Sequence, residues 1–158
     1  MSSSEAFTLH TDGGCSPNPG PGGWGFVLDT PSGDRLERCG GEAASTNNRM
    51  ELTAVIRGLE TALEASGGAR PRVEIVADSQ YVLKGLKEWM PGWKANGWTR
   101  KSGGRRQPVL NVDLWKRLDD LKAAMDLEFT WVRGHSGHVD NERCDALVHE
   151  GRRAAQEG

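Results

Sequence analysis

One long helical stripe, set among strand-like runs, limits the fold of this chain more than any other feature. Residues 47–66, "NNRMELTAVIRGLETALEAS", repeat apolar side chains three and four positions apart, which predicts an amphipathic helix that stops at Gly67 and Gly68. Strand-like runs lie at residues 7–12, 24–30, 35–43 and 72–77. Three strands before the helix and one after it predict an α/β domain that opens with an antiparallel meander.

The second half of the chain continues this alternation. It contains helical segments at residues 79–89, 111–125 and 141–155, and a fifth strand at residues 127–132. With 158 residues, of which 36% are hydrophobic, the chain is large enough for one domain that buries about 70% of its unfolded surface. We therefore expect a single mixed sheet with helices on its faces.

The composition indicates a soluble, cytoplasmic protein. No apolar run approaches the roughly 18 residues of a membrane-spanning helix, and "MSSSEAF" lacks the basic and apolar parts of a secretory signal. Cys15, Cys39 and Cys144 are odd in number and lack CxxC spacing, so we expect free thiols. Heptads and long unpaired apolar stripes are absent from the sequence. We expect a monomer by default, with no membrane partner and no dedicated protein partner.

A basic segment interrupts an otherwise acidic chain. Between Lys84 and Arg106, seven basic residues stand against the single acid Glu88, whereas the whole chain has a formal net charge of −2. Trp89 and Trp93 are four residues apart and hence on one helix face. Aromatic rings among lysines suit a surface that follows a nucleic-acid backbone. The rings could also pack a protruding helix on the domain, and we expect some to do each.

The stretch "TDGGCSPNPGPGGWG", residues 11–25, contains more glycine and proline than a turn requires. It is either a flexible connector or a segment whose backbone passes close to another group. We favour close approach, with Gly13 and Gly14 letting the backbone near a bound substrate. The prolines would stiffen the path to a strand that begins at Trp24. Asp12 stands at the start of this segment, where an apolar strand ends.

Four carboxylates occupy comparable places in the predicted elements. Asp12 and Asp78 end strands, whereas Glu51 and Asp145 lie early in helices. In open α/β sheets, ligands gather beyond the carboxyl ends of the strands. We therefore expect the four acids to converge on one rim of the sheet.

Each acid also has a simpler interpretation. Glu51 follows Asn48 by three residues, as in a capping box, and Asp78 could cap the helix that follows it. Asp12 could be a turn former and Asp145 a solvated helix residue. The joint placement favours a shared site, because capping does not explain an acid at the end of the apolar fourth strand.

Clustered carboxylates without Cys or His ligands suit hard cations. Mg²⁺ and Mn²⁺ prefer oxygen donors, and Mg²⁺ keeps positions open for phosphate oxygens and water. Two such ions about 4 Å apart can activate a water on one side of a phosphodiester and stabilise the leaving oxygen on the other. The sequence therefore predicts a Mg²⁺ site, with Mn²⁺ as the alternative ion.

The ordered motifs resemble those of type 1 ribonuclease H, in particular its bacterial members. The matching segments are "TDGGCSPNPGPGGWG", "TNNRMEL", "ADSQYV", "NVDLW", "VRGHSGH" and "NERCDAL", and they fall within about residues 6–150. The resemblance implies an RNase H-like α/β fold with a mixed five-stranded sheet in the order 3-2-1-4-5 and helices on both faces. It also implies a single domain over residues 1–158, with a basic protrusion at about 84–110, here called the handle, and a tail at about 151–158.

The same resemblance implies an endonuclease that cuts the RNA strand of RNA/DNA hybrids with two Mg²⁺ ions and leaves 5′-phosphate and 3′-hydroxyl ends. Asp12 would bridge both ions. Glu51 and Asp78 would complete the ion on the leaving-group side. Asp145 would hold the ion on the nucleophile side.

A histidine is implied as a helper. His135 lies in the glycine-flanked "RGHSGH" and titrates near neutral pH. By the resemblance it would assist proton transfer or product departure without being a metal ligand. Taken alone, His135 and the neighbouring His138 would both be surface residues.

Recognition of RNA requires contacts to the 2′-hydroxyl, which donates and accepts hydrogen bonds in the minor groove of the hybrid. The candidates are small polar residues near the acids, and the resemblance supports them: Cys15, Asn18, Asn47, Asn48 and Gln80. Taken alone, the asparagines would be turn or helix-start residues. Thr46, beside them, resembles the family's DNA-phosphate contact.

The handle is expected to grip the substrate through lysines and tryptophans, namely Lys84, Lys87, Trp89, Trp93, Lys94 and Trp98. It departs from the family's common pattern at Ala95 and Asn96, where relatives often carry basic residues, and at Leu110, where lysine is frequent. Additional basic residues in the loop "TRKSGGRRQP" compensate for these departures.

Two other functions remain open at this point. A catalytically silent module that binds hybrids or double-stranded RNA would need only the handle. A structural protein in which the acids are all helix caps would leave residues 11–25 unexplained. The nuclease is favoured because all four acids and His135 are present.

Overall fold

The computed structural model describes residues 6–133 and 139–157. Its strands are β1 (Phe7–Cys15), β2 (Gly20–Asp29), β3 (Arg35–Ser45), β4 (Arg72–Ala77), β5 (Thr99–Ser102), β6 (Arg105–Pro108) and β7 (Asp126–Trp131). Its α-helices are α1 (Asn47–Ala65), α2 (Gln80–Lys84), α3 (Met90–Ala95), α4 (Val112–Ala123) and α5 (Val139–Glu157), with a π-helical turn at Gly85–Trp89 between α2 and α3.

Five strands form the central sheet in the order β3-β2-β1-β4-β7. The pairs β1–β2 and β2–β3 are antiparallel, whereas β1–β4 and β4–β7 are parallel. This confirms the predicted mixed sheet, in which β7 is the fifth strand of the order 3-2-1-4-5. Short turns join the antiparallel strands, and the parallel strands require the longer helical crossovers.

The predicted stripe of α1 packs on the sheet. Its buried members include Met50, Leu52, Val55, Ile56 and Leu59. The helix ends at the predicted stop, where Gly67 and Gly68 have positive φ angles of 69° and 84°. Such angles favour glycine and terminate the helical ladder.

Residues 11–25 are mostly strand, which corrects the expected loop. β1 continues to Cys15 and β2 begins at Gly20, so only residues 16–19 form the turn. The strand expected to begin at Trp24 therefore begins four residues earlier. The glycine content obscured this extension, because glycine is depleted in strands.

The glycines of β2 allow helices to touch both faces of the sheet. Successive residues of a strand point to opposite faces. A Cβ on Gly22 would overlap the Met50 side chain of α1, and one on Gly23 would overlap the Val148 carbonyl of α5. The predicted helices on both faces are confirmed, and the close approach at these glycines is made by helices.

The helix predicted at residues 79–89 is irregular and longer than expected. α2 passes through the π-helical turn into α3. A Cβ on Gly85 would overlap the ring of Trp115, so this glycine lets α4 pack against the base of the handle. Beyond α3, β5 and β6 form a separate two-stranded hairpin that the sequence pattern did not predict. Gly103 and Gly104, with φ angles of 61° and 77°, form its turn.

α5 covers the other face of the sheet. Cys144 and Leu147 pack with Val27 in a second, small hydrophobic cluster. The helix continues to Glu157, two residues beyond the helical segment predicted to end at residue 155. A Cβ on Gly151 would overlap the backbone of β3. Among the helices within the described ranges, none is both long and apolar enough to cross a membrane.

We expect Gly151→Ala to lower the free energy of unfolding by about 1–3 kcal/mol, because the added methyl group would push α5 away from β3. Gly92→Ala is the matched control, since Gly92 is also helical but a Cβ there would meet nothing within 4 Å. Alanine at that position should stabilise α3 by up to about 1 kcal/mol. Urea unfolding of both variants measures the difference, and equal stabilities would contradict the packing argument.

Candidate active site

Three carboxylates from three elements meet at one edge of the sheet. Asp12 lies in β1, Asp78 directly follows β4, and Glu51 is the fifth residue of α1. One oxygen of each lies within 4.8 Å of the other two. Parallel pairing brings the aspartates together, since Thr11 pairs with Ala77 and the next residue of each chain segment is the acid. These three residues are called the acid group below.

Gly13 allows α1 to bring Glu51 into the acid group. A Cβ on Gly13 would overlap the Met50 carbonyl and lie 2.6 Å from the Glu51 amide nitrogen. At Gly14, by contrast, the nearest atom would be Asn47 Oδ1 at 3.5 Å, an ordinary contact. The glycine that was expected to approach a substrate therefore approaches the helix that carries Glu51.

Helix capping accounts for neither Glu51 nor Asp78. α1 is capped by Thr46, whose side chain accepts a hydrogen bond from the amide three residues later, so Glu51 lies beyond the first turn and outside any capping box. α2 is capped by Ser79, whose hydroxyl accepts from the Val82 amide at 3.3 Å. The simpler interpretations of these two acids are wrong.

Asp12 and Glu51 bind protons more tightly than isolated carboxylates do. Burial, followed by repulsion from Asp78, raises the pKa of Asp12 to about 7, although the Gly13 amide donates to Asp12 Oδ1 at 3.0 Å and opposes the shift. Burial and then the charge of Asp12 raise the pKa of Glu51 well above its usual range. Shifts of this cause and direction are typical of sites that bind a cation or move a proton.

The donor set of the acid group fits a hard divalent cation. All three residues offer carboxylate oxygens, which Mg²⁺ and Mn²⁺ prefer. Glu51 Oε2 is buried and accepts no hydrogen bond from any residue that the structure describes. Buried polar atoms normally have a partner. A cation would supply one and would also relieve the repulsion between the carboxylates.

The acid group lies in an open cleft, and Asp145 of α5 lines this cleft as well. Its charge also raises the pKa of Asp12, after burial and Asp78. It is not a member of the acid group, whose oxygens all lie within 4.8 Å of one another. Its Oδ2 lies 3.6 Å from Nε2 of His149, one helical turn later. Asp145, the fourth predicted acid, therefore lies on the cleft wall but outside the acid group.

The role expected for His135 stays a prediction. His135 and His138 belong to residues 134–138, which lie outside the described residues. The helical segment expected from residue 141 begins at Val139.

Three of the predicted minor-groove residues, Cys15, Asn47 and Asn48, line the cleft. The Cys15 amide donates to Asn47 Oδ1 at 2.7 Å, and the Asn47 amide donates to Asn18 Oδ1 at 3.0 Å. These bonds tie the β1–β2 turn to the start of α1. Asn18, Asn47 and the capping residue Thr46 therefore shape the cleft, whatever else they contact.

Gln80, Lys84 and Lys87 line a groove beside the cleft, between α2 and β7. Trp131, which sequence reasoning did not select, lines the same groove and is 47% exposed. Its indole nitrogen donates to the Asp78 carbonyl at 3.1 Å. The groove therefore connects basic residues at the start of the handle with the backbone of the acid group.

The tryptophans of the handle divide into packed and exposed rings. Trp93 and Trp98 pack against the main core. Trp89 is 37% exposed, and its ring centroid lies 5.8 Å from that of Trp93, as expected for two rings on one helix face. Lys94 lies 3.1 Å from Asp119 of α4, so its charge is directed at the domain in this structure.

A polar network connects α1, α2 and α4 around the two ends of the handle. Arg49 donates to both carboxylate oxygens of Asp113, at 3.1 and 2.9 Å, and to Asn111 Oδ1 at 3.2 Å. Asn111 and Trp115 each donate to the Tyr81 hydroxyl at 3.2 Å. The segments that flank the handle are thereby linked to α1, the helix that supplies Glu51 of the acid group.

Sequence reasoning also missed two residues on α5. His149 and Arg152 line the cleft together with Asp145. Their spacing of four and seven residues from Asp145 indicates a shared helix face. That spacing is common on solvated helices, so only the proximity of the acid group makes it informative.

The RNase H family model matches residues 4–153 of this chain. A ribonuclease H of Halorhodospira halophila (strain DSM 244 / SL1) is 55% identical over 148 residues, which are 93% of this chain and 91% of the relative. A ribonuclease H of Methylorubrum extorquens (strain PA1) is 53% identical over 150 residues, which are 95% of this chain but only 61% of that relative. Among solved structures, LC11-RNase H1 in complex with an RNA/DNA hybrid has a TM-score of 0.71 at 26% identity, covering 95% of this chain and 99% of that chain.

We expect the stability of the metal-free chain to fall as the pH rises from about 4 to about 7 through the contribution of Asp12. The folded chain keeps a proton on Asp12 up to a pKa of about 7, whereas the unfolded chain releases it near the ordinary value. Asp12→Asn should therefore be more stable than the unmodified chain at pH 8, by roughly 1–3 kcal/mol, and the gain should vanish near pH 4.

Urea unfolding in chelator over this pH range tests the expectation. Asp120→Asn, which removes an exposed carboxylate of α4, is the matched control. It should leave the pH dependence unchanged. An Asp12→Asn curve parallel to that of the unmodified chain would show that Asp12 does not hold its proton as inferred.

Proposed function

The chain belongs to the RNase H family, and from this premise we propose that it is an endonuclease that hydrolyses the RNA strand of RNA/DNA hybrids. The observation that carries the proposal is the acid group, three carboxylates from β1, α1 and the end of β4 within 4.8 Å of one another. The solved complex of LC11-RNase H1 with a hybrid supports the substrate class.

The acids of the cleft would hold two divalent ions, of which Mg²⁺ is proposed and Mn²⁺ is the alternative. Asp12, Glu51 and Asp78 would hold one ion, and Asp12 with Asp145 the other. Bound ions of this kind supply an activated water and positive charge for the leaving oxygen. The products would carry 5′-phosphate and 3′-hydroxyl ends.

The part played by the chain itself is to hold the oxygen donors in place and to orient the strand. The Gly13 amide fixes Asp12 Oδ1 at 3.0 Å, and Trp131 anchors the carbonyl of Asp78 at 3.1 Å. His135, known here only from its motif, would move a proton or assist product departure.

Selection of RNA would occur on the cleft wall formed by the β1–β2 turn and the start of α1. Cys15, Asn47 and Asn48 line the cleft, and Asn18 fixes the backbone of Asn47. Small polar groups and backbone at this place suit the 2′-hydroxyl of a hybrid's minor groove. Gln80 would extend the contact into the neighbouring groove, and Thr46 would meet a DNA phosphate.

The handle would hold the hybrid beside the cleft. Lys84 and Lys87 line the groove next to Asp78, and Trp89 offers an exposed ring. Trp93 and Trp98 would act mainly by packing, and Lys94 would have to leave Asp119 to reach a phosphate. Phosphate contacts of this kind provide affinity that falls with salt.

We further propose that the chain works as a cytoplasmic monomer, folded as one domain. The thiols of Cys15, Cys39 and Cys144 are all free, which fits a reducing compartment. The packing of Trp93 and Trp98 of the handle against the main core supports a single folded unit.

End-labelled RNA paired to DNA provides the direct test of the function. We expect Mg²⁺-dependent internal cuts in the RNA of the hybrid, and none in chelator. Single-stranded RNA, duplex RNA and duplex DNA are the controls and should remain intact. Binding of the hybrid without cutting would favour the alternative, a catalytically silent binding module, and would end the nuclease proposal.

Asp12→Asn should abolish cleavage and leave binding of the hybrid within about threefold, because it removes one carboxylate charge without changing the handle. A gel-shift titration measures binding, and the labelled hybrid measures cleavage. Asp120→Asn on α4 again serves as the control and should retain both. Normal cleavage by Asp12→Asn would remove Asp12 from the proposed metal ligands.

Trp89→Ala and Trp93→Ala should separate substrate contact from packing. Removal of the exposed Trp89 ring should raise KM for the hybrid several-fold, since stacking or strand contact contributes about 1–3 kcal/mol. Removal of the packed Trp93 ring should instead lower stability by about 3–5 kcal/mol. Steady-state kinetics and urea unfolding of both variants measure the two effects, and an unchanged KM for Trp89→Ala would exclude Trp89 from the substrate surface.

A further inference from the structure

Three polar side chains of α5 lie in a row along the cleft. Asp145, His149 and Arg152 are separated by four and three residues, so they share one helix face, and all three line the cleft. Arg152 Nη2 lies 2.9 Å from His149 Nδ1. His149 Nε2 lies 3.6 Å from Asp145 Oδ2. This row, called the α5 relay, leads from Arg152 to the carboxylate that stays outside the acid group.

The first contact assigns the tautomer of His149. A guanidinium has donors and no acceptor, so Nδ1 must accept the hydrogen bond from Arg152. The imidazole proton then resides on Nε2 and points towards Asp145. The 3.6 Å separation exceeds the roughly 2.7–3.2 Å of a hydrogen bond. The Nε2–H group therefore faces the carboxylate of Asp145 without fixing it by a hydrogen bond, and the carboxylate can turn.

We propose that Arg152 is a positioning residue that acts through His149 on Asp145, and so sets how readily this carboxylate joins the metal site. The inference rests on the proposed function, because it takes Asp145 as a metal ligand. With Arg152 present, His149 offers Asp145 a donor. Without Arg152, the Nδ1–H tautomer of His149 becomes accessible. In that tautomer the lone pair of Nε2 faces the carboxylate of Asp145, and the two repel each other.

The expected size of the effect follows from where the relay lies. Partners that orient a metal ligand typically change metal affinity or activity about 10–100-fold when they are removed. The side chains of His149 and Asp145 are 51% and 42% exposed. Because solvent competes for both, the lower end of that range, about tenfold, is expected.

Arg153 provides a matched control. It is the next residue of α5 and carries the same charge, but it is exposed and does not line the cleft. Arg153→Ala therefore removes one positive charge from the same helix turn without touching the relay. Arg152→Lys is the conservative variant, because it keeps a charged donor for His149 Nδ1.

The first measurement is the tautomer of His149 in long-range ¹H–¹⁵N spectra of the metal-free protein. We expect the Nε2–H form in the unmodified chain, in Arg153→Ala and in Arg152→Lys, and a mixture of tautomers in Arg152→Ala. A pure Nε2–H form in Arg152→Ala, or the Nδ1–H form in the unmodified chain, would overturn the proposal.

The second measurement is Mn²⁺ binding by calorimetry. Arg152→Ala should weaken it about tenfold and Arg153→Ala should not change it. His149→Ala should have the same effect as Arg152→Ala, and the double variant should be no worse than either, since both act through one contact. Additive losses would show that Arg152 acts on the site independently, and the positioning role would be wrong.

Hybrid cleavage separates this proposal from the proposed function. If the unmodified chain cuts the hybrid, Arg152→Ala should lower kcat and leave KM within about twofold, whereas a direct contact of Arg152 with a substrate phosphate would raise KM and overturn the proposal. If the unmodified chain does not cut, the proposed function fails, and the tautomer and Mn²⁺ measurements still decide whether the relay positions Asp145.

Discussion

Backbone contact between β1 and α1 at Gly13 is the constraint on which the rest of the cleft depends. With no side chain at this position, the peptide of Met50 lies directly on the strand, and Glu51 follows it into the space beside Asp12. Parallel pairing of β1 with β4 then adds Asp78. The backbone, which is the most rigid part of the fold, thus brings the three residues of the acid group together.

The electrostatics of the chain separate structural carboxylates from those of the cleft. Outside the cleft, hydrogen bonds from arginine side chains hold pKa values below their usual range, as in the pairs formed by Asp29, Glu37 and Asp113. In the acid group the main influences on Asp12 and Glu51 are burial and other carboxylates. The carboxylates of the acid group therefore repel one another, whereas the acids outside the cleft are paired with guanidinium groups. A divalent cation bound in the cleft would relieve this repulsion.

Much of this architecture could be predicted because it depends on local pattern. The stripe of α1, the run at residues 72–77 and the acids at strand ends all follow from spacing and polarity, and the motif order supplied the strand order. The hairpin β5–β6 was missed because its strands have four residues each and lack hydrophobic side chains that alternate with polar ones, although Gly103 and Gly104 mark its turn. The function of the glycines at residues 11–25 could not be predicted, since it depends on helices distant in sequence.

The place of α5 beside the acid group depends on packing more than on the ion pairs at its start. Asp140 lies 3.0 Å from Arg35, and Arg143 lies 2.7 Å from Glu37. Solvent-exposed pairs contribute about 0–1 kcal/mol each and weaken with salt. The contact of Gly23 with the Val148 carbonyl leaves no space for α5 to move closer or rotate, and salt does not screen it. Backbone packing therefore sets the position of the α5 axis. Side-chain contacts along the cleft set the direction of a carboxylate on the surface of this helix.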